Sequence, residues 1–343
     1  MVQSTNTLDR YDLGSGATDN VREDLSDVIY NISPTEVPFQ SNAGREKSAT
    51  DFKEWLIDNL ADAANNAHVD GDEFSGVALT VADRVGNYHQ ISRKDLVVSR
   101  RSNIVNKAGR RSEMAYQVAK GGKELRRDIE VAATSRKAAV IGNNTTPPES
   151  AGVPAWIRTN DSRGSGASSP TLSSTDSGYP NAVGTAGTAR GLTETQILDT
   201  CRDAYEEGGN PNMIMVPPVL KQGVSNYLFG SSARIASQYQ DQGKSPRGGV
   251  SVVGAVDVYV TDFEVMDIVP SRFSPSGTTA AETFVLDTEY WAMSYLDGYH
   301  VEDIAKVGDH RRRMLLADWT VCSKNEAASG IIADLNDTTA VAA

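Results

Sequence analysis

A chain of 343 residues, 39% hydrophobic and 23% charged, has the composition of a folded protein large enough for two domains or one elaborate one. It contains no run of about eighteen apolar residues, which excludes a membrane-spanning helix. The formal net charge of −12 argues against a protein that wraps nucleic acid by neutralising phosphates. An acidic surface that merely encloses DNA would repel it and leave it mobile.

The opening stretch, MVQSTNTLDRYDLGSGATDN, has neither the basic start nor the apolar segment of a secretory signal. Cys201 and Cys322 lie far apart, so a reducing compartment is expected rather than a disulfide framework. Residues 1 to about 30 are polar and punctuated by glycine. LSDVIYNISPTEVPFQS then supplies a short apolar segment ended by Pro34 and Pro38, the pattern of an extended arm with one anchor.

Residues 50–60 and 85–99 predict two strands. In the first, Trp55 and Ile57 alternate with Phe52, Glu54, Leu56 and Asp58, although Phe52, Trp55, Leu56 and Leu60 also fit helical spacing. In the second, VGNYHQISRKDLVVSRR shows no helical stripe. Small and acidic residues separate the two. Residues 109–141 predict the clearest helix: Val118, Leu125, Ile129, Ala132 and Ala133 form one stripe, and Lys120–Glu124 and Arg126–Glu130 are opposite-charge pairs four residues apart. Such a helix would span roughly 50 Å. Gly121 and Gly122 within it imply a bend or a closely approaching backbone.

Residues 143–191 are saturated with Ser, Thr, Gly, Pro and Asn, the composition of a long excursion loop, tethered by Trp156 and Ile157. In LTETQILDTCRDAYEEGGNPNMIMVPP, Thr193 and Gln196 match a capping box and Gly208 sits where a helix ends. Ile197, Cys201, Ala204 and Tyr205 make its buried stripe. Met213 to Val216 read as a buried strand, and Pro217–Pro218 open a helix carrying Leu220, Val224 and Leu228. Strands follow at VSVVG, VDVYVTDF and VMDIVPSRF. The tail returns to strand at TFVLDT, around Met314 to Val321, and at Ala327 to Leu335.

Chemistry is sparse. His68, His89, His300 and His310 share no metal-ligand spacing with each other or with the cysteines. Asp309–His310 lacks any accompanying nucleophile motif, and adjacent strand residues point apart. No phosphate-binding loop is present. No catalytic residue, cofactor or metal is therefore expected. Arg311, Arg312 and Arg313 are the basic cluster most open to two readings: docking on acidic surfaces of other subunits or on DNA phosphates, or a solvated helix face or protected strand edge. Phe52, Trp55 and Tyr88 lack the basic neighbours of a base-stacking platform, so packing is the expected role.

Taken in order, ISPTEVPF, FKEWLIDNL, YQVAKGGKELRRDIEVA and the tail from VLDTEYWAMSYLDGYHVEDIAKVGDHRRR onward resemble the major head proteins of tailed phages. The resemblance covers nearly the whole chain apart from residues 143–191, and KELRRDIE and AKVGDHRRR are its most specific pieces. It implies an α+β protein of the Hong Kong 97-type capsid fold. Residues 1–45 would be the N-terminal arm, 46–105 the extended β-hairpin loop, and 106–142 the spine helix of the peripheral domain. The Ser/Gly/Pro-rich insertion at 143–191 follows, then the axial domain at 192–275 and peripheral-domain strands at 276–343. It further implies a homo-oligomer of pentamers and hexamers that encloses double-stranded DNA without reading its sequence, with no membrane. Portal, scaffolding and decoration proteins would be its partners, the virion its location and the host bacterial cytoplasm its place of assembly. Phe52, Trp55, Ile57, Arg311, Arg312 and Arg313 are the expected contacts between subunits. An encapsulin-like compartment shell is the alternative in the same fold, and a hydrolase resting on Asp309–His310 the alternative in another class.

Overall fold

The computed structural model describes residues 33–337 apart from 62, 74, 75, 77, 78, 80, 175–177, 231–256 and 278–280. The expected arm up to residue 32 and the expected strand VSVVG lie outside the described residues. In chain order the elements are α1 (Pro38–Asn42), β1 (Gly44–Lys47), β2 (Phe52–Ile57), β3 (Asp83–Tyr88), β4 (Gln90–Ser99), α2 (Arg100–Ile104) and α3 (Glu113–Thr134). They continue with α4 (Val153–Trp156), β5 (Asp161–Ser162), β6 (Thr171–Leu172), β7 (Pro180–Ala182), α5 (Glu194–Glu206), β8 (Met213–Val216) and α6 (Pro218–Gly230). The chain ends with β9 (Val258–Val260), β10 (Val265–Pro270), β11 (Ala281–Leu286), β12 (Trp291–Ile304), β13 (His310–Ser323) and β14 (Gly330–Leu335).

Two sheets organise the fold. One runs β5-β14-β11-β8-β10-β9, the other β1-β12-β13-β4. Residues 276–343, expected as one group of peripheral strands, divide between them. β11 and β14 lie beside β8 in the first sheet, while β12 and β13 form the centre of the second. The reason is burial: every residue of β8, β11 and β14 is buried, as strands covered on both faces require.

The predicted α5 and its cap are present. Thr193 Oγ1 accepts from the Gln196 N–H, and Gln196 returns a bond to the Thr193 N–H. Gly208 ends the helix at φ +92°, a conformation that disfavours side chains. Ile197 and Cys201 are buried in one cluster with Met266, Ile268 and Val285, Ala204 is also buried, and Tyr205 is exposed and leans on Phe263. Burial pushes the Cys201 thiol up to about 12, which fits a packing group and not a nucleophile.

The long helix is shorter than its periodicity predicts. α3 has 22 residues, about 33 Å, because its C-terminal charges are captured elsewhere. Arg136 reaches Asp334 at 3.3 Å and Glu282 at 3.8 Å, and Lys137 Nζ donates to Gln90 Oε1 at 2.6 Å. Burial pushes Glu282 up to about 7 against the pull of Arg136 and Arg163. Gly121 admits side chains and not a backbone: a Cβ there would stand 3.5 Å from Leu315 and 3.6 Å from Leu96. Lys120–Glu124 pairs as expected at 3.7 Å, but Glu130 does not pair with Arg126. Its carboxylate is buried and accepts the N–H groups of Phe39 and Gln40 at 2.7 and 3.0 Å. Glu130 thereby satisfies the first donors of α1 and ties the end of the arm to α3. The Ser/Gly/Pro-rich stretch is anchored as its two apolar residues predicted: Trp156 and Ile157 are both in the main core.

Candidate assembly surfaces

The region expected as one strand from 85 to 99 breaks at His89. β3 turns to pair with β2, while β4 pairs with β13. The resulting hairpin is a separate two-stranded sheet. Its register sets Phe52 opposite Tyr88 and Trp55 opposite Val85. Phe52 and Tyr88 rings lie 4.5 Å apart. Phe52 also covers Gly86, where a Cβ would come within 2.5 Å of its ring, so glycine alone permits that packing.

The base of this hairpin is fixed to its own chain. Asn87, fully buried, donates to the Val321 carbonyl at 2.8 Å and to Ser150 Oγ at 3.2 Å, and accepts the Ala151 N–H at 3.0 Å. Trp55 stacks at 5.2 Å on Trp156. His89, buried at the break between β3 and β4, faces Asp318 of β13 at 3.3 Å. Burial lowers the His89 pKa below 6.5 despite Asp318, and burial raises that of Asp318 despite His89. Asn87 and His89 fall in the strand alternation of 85–99, which gives no sign of their buried contacts, because an internal amide hub is defined by partners distant in sequence.

The tip is the opposite case. From Asp58 to Val81 every described residue is exposed. Leu56, Leu60, Val69, Leu79 and Val81 are between 67% and 98% exposed. An isolated two-stranded ribbon with such a surface is marginal in water.

The expected contact residues fall into two groups. Trp55 and Ile57 are half-buried against the chain's own core, whereas Phe52 lies on the other face of β2 with Glu54 and Leu56 and is half-buried over Gly86 and Tyr88, which leaves Glu54 and Leu56 as the exposed positions of that face. The three arginines lie on β13, an interior strand between β12 and β4, so protecting a strand edge is not their role. Arg313 is bound by Asp303 at 2.6 Å and Arg312 donates to His310 Nε2 at 2.6 Å. Arg311 is exposed and has no ion pair among the described residues.

The Asp309–His310 pair does not converge on a common target: Asp309 accepts from Arg100 Nε at 2.7 Å while His310 is taken by Arg312. Among the described residues no group of three His, Cys, Asp or Glu side chains is placed to hold a metal ion. Nor is any helix there long and apolar enough to cross a membrane.

A spine-like helix across a four-stranded sheet, a mixed six-stranded sheet and a protruding hairpin define the Hong Kong 97-type capsid fold. The cyanophage A-1(L) capsid protein superposes with a TM-score of 0.59 over 93% of this chain and 98% of its own, at 11% identity. The holo-SrpI encapsulin of Synechococcus elongatus PCC 7942 superposes less well, with a TM-score of 0.51 at 7% identity, over 92% of this chain and 95% of its own.

The family model for the SU10 major capsid protein matches residues 3–336, so the chain belongs to that family. The major capsid protein of Escherichia phage Phieco32 is 24% identical over 331 residues, covering 88% of this chain and 90% of its own. The function is that of a major capsid protein of a tailed phage, and its place is the virion capsid.

Proposed function

We propose that identical copies form pentamers and hexamers that close an icosahedral shell around double-stranded DNA, with the hairpin tip of each subunit lying over its neighbour. The exposed apolar tip carries this reading: Leu56, Leu60, Leu79 and Val81 have no cover within the described residues of their own chain. A head-to-tail contact of this kind repeats around a ring and closes. Leu56 and Leu60, rather than Trp55, are the tip's principal apolar contacts, and Arg311, exposed and without an ion pair among the described residues, is the cation of the arginine cluster that meets the neighbour. Residues 1–45 act as the arm, α3 as the spine helix, and the region of α5, β8, α6, β9 and β10 as the axial part. Portal, scaffolding and decoration proteins are the partners, assembly takes place in the host bacterial cytoplasm, and the subunit is structural with no catalytic activity. The acidic net charge suits DNA that must stay mobile inside the shell.

Leu56→Asp with Leu60→Asp tests this reading. The variant should purify as folded subunits and yield no closed particles by negative-stain imaging, while the unchanged chain yields shells. Normal shells from the double variant would overturn the contact. Particles holding an enzyme cargo in place of DNA would favour the encapsulin-like alternative.

A further inference from the structure

The Ser/Gly/Pro-rich stretch has the composition of an excursion loop, yet it joins the six-stranded sheet to the base of the hairpin. Its first contacts are on the sheet side. Thr159 Oγ1 donates to Glu326 Oε1 at 2.6 Å, and Asn160 Nδ2 donates to the Ala327 carbonyl at 2.6 Å. β5 then pairs with β14, and two legs follow, residues 163–172 and 180–190. They run side by side: the Thr188 N–H donates to the Ser165 carbonyl at 2.9 Å, and the Ser168 N–H to the Thr185 carbonyl at 3.3 Å. A Cβ at Gly184 would stand 1.7 Å from the Ser168 carbonyl oxygen, and so close a pair of backbones accounts for the small residues of this stretch.

Both legs are rooted at one buried residue. Asp334 of β14 is fully buried, and its φ of +58° is a left-handed conformation uncommon for a residue with a side chain. Its Oδ2 accepts the Gly164 N–H at 3.0 Å, and its carbonyl accepts the Arg190 N–H at 3.0 Å. Arg136 Nη1 donates to its Oδ1 at 3.3 Å, and Arg136 Nη2 donates to the Gly184 carbonyl at 2.8 Å. Arg190 adds a bond to Ser162 Oγ at 2.9 Å. A buried carboxylate held by several donors is costly to disturb, so the roots are fixed. The far end of the legs lies on the hairpin. A Cβ at Gly178, whose φ is +54°, would stand 3.0 Å from the Arg84 carbonyl oxygen and 3.1 Å from Val85 Cγ1. Tyr179 meets Tyr88 edge to face with ring centroids 5.4 Å apart, and the Pro180 carbonyl accepts the Ala139 N–H at 2.9 Å.

We propose that residues 158–174 and 178–190 are a strap that sets the angle of the hairpin, rooted on the six-stranded sheet at Asp334 and braced against Arg84, Val85 and Tyr88. Asn87 ties the hairpin to the four-stranded sheet through Val321, and the strap ties it to the other sheet. A rotation of the six-stranded sheet is then passed to the hairpin through the strap. The strap acts within a single subunit, with or without a shell.

Amide exchange of the subunit tests both ends of the strap, with the amides of β8 and β10 as the internal reference. Tyr179→Ala should speed exchange at 84–88 about tenfold and leave the reference amides unchanged, while Tyr179→Phe, which keeps the ring, should behave as the unchanged chain. Asp334→Asn, at a residue bonded to 136, 164 and 190, should also speed exchange at 84–88. Such a remote effect is what a strap transmits and local packing does not. In the double variant the two effects should fall short of their product, because both act through one element. If Asp334→Asn does not fold, Arg190→Met takes its place with the same expectation. Protected amides at 84–88 in Tyr179→Ala or in the root variant would overturn the proposal. So would equal speeding of the hairpin and reference amides, or fully multiplicative effects in the double variant.

Discussion

The two ends of the hairpin are made of the same ribbon and behave as different materials. At the base, Val85, Asn87 and His89 are buried, and three donors and acceptors of the Asn87 amide are tied to residues 150, 151 and 321. At the tip, every described residue from 58 to 81 is exposed, with large apolar side chains among them. The base is a completed interior; the tip is half of an interface. A subunit built this way can hold the direction in which the hairpin leaves the sheet while its far end stays free to find a partner.

Removing the base's hydrogen-bond hub should have the larger effect. Asn87→Ala leaves the Val321 carbonyl, Ser150 hydroxyl and Ala151 N–H without their shared partner in a buried place. A loss of about 3–5 kcal/mol is expected, read as a lower urea midpoint for the isolated subunit. An unchanged midpoint would mean that the base is not what holds the hairpin.

Acid should loosen the base by a smaller amount. The native pKa of His89 is depressed below 6.5, so the folded state binds fewer protons than the unfolded one. The stability from the neutral ring is complete above about 6.5 and is lost as pH falls through the folded value. Asp318 is raised above 3.8 and works in the opposite sense: it favours the native state at low pH and that contribution is lost as pH rises through its own folded value. Below about pH 6.5 the two oppose each other, and the more deeply buried His89 should prevail at first. Protection of the amides of 85–88, corrected for intrinsic exchange, should therefore fall between pH 7 and 5.5. His89→Phe should flatten that dependence. An equal slope in both proteins would assign it to another group.

Much of the architecture was legible in the sequence. The capping box at Thr193, the all-apolar strand at Met213–Val216 and the tether at Trp156–Ile157 were local signals that the structure keeps. The losses have physical causes. α3 stops at Thr134 because Arg136 and Lys137 are drawn to Glu282, Asp334 and Gln90, partners far away in sequence. The strand at 85–99 breaks at His89 because its two halves belong to different sheets. Glu130 looked like a surface ion-pair residue and is a buried clamp, since the backbone N–H groups it binds are invisible to any charge pattern. On the hairpin, the alternation was read correctly, but the face that carries Trp55 belongs to the chain's own core and the opposite face carries Leu56.

The most direct measurement compares amide exchange along the hairpin in free subunits and in closed shells. Residues 85–88 should be protected in both states, and residues 58–81 should gain protection only in shells. A tip that exchanges as fast in shells as in free subunits, or one already protected before assembly, would contradict the account.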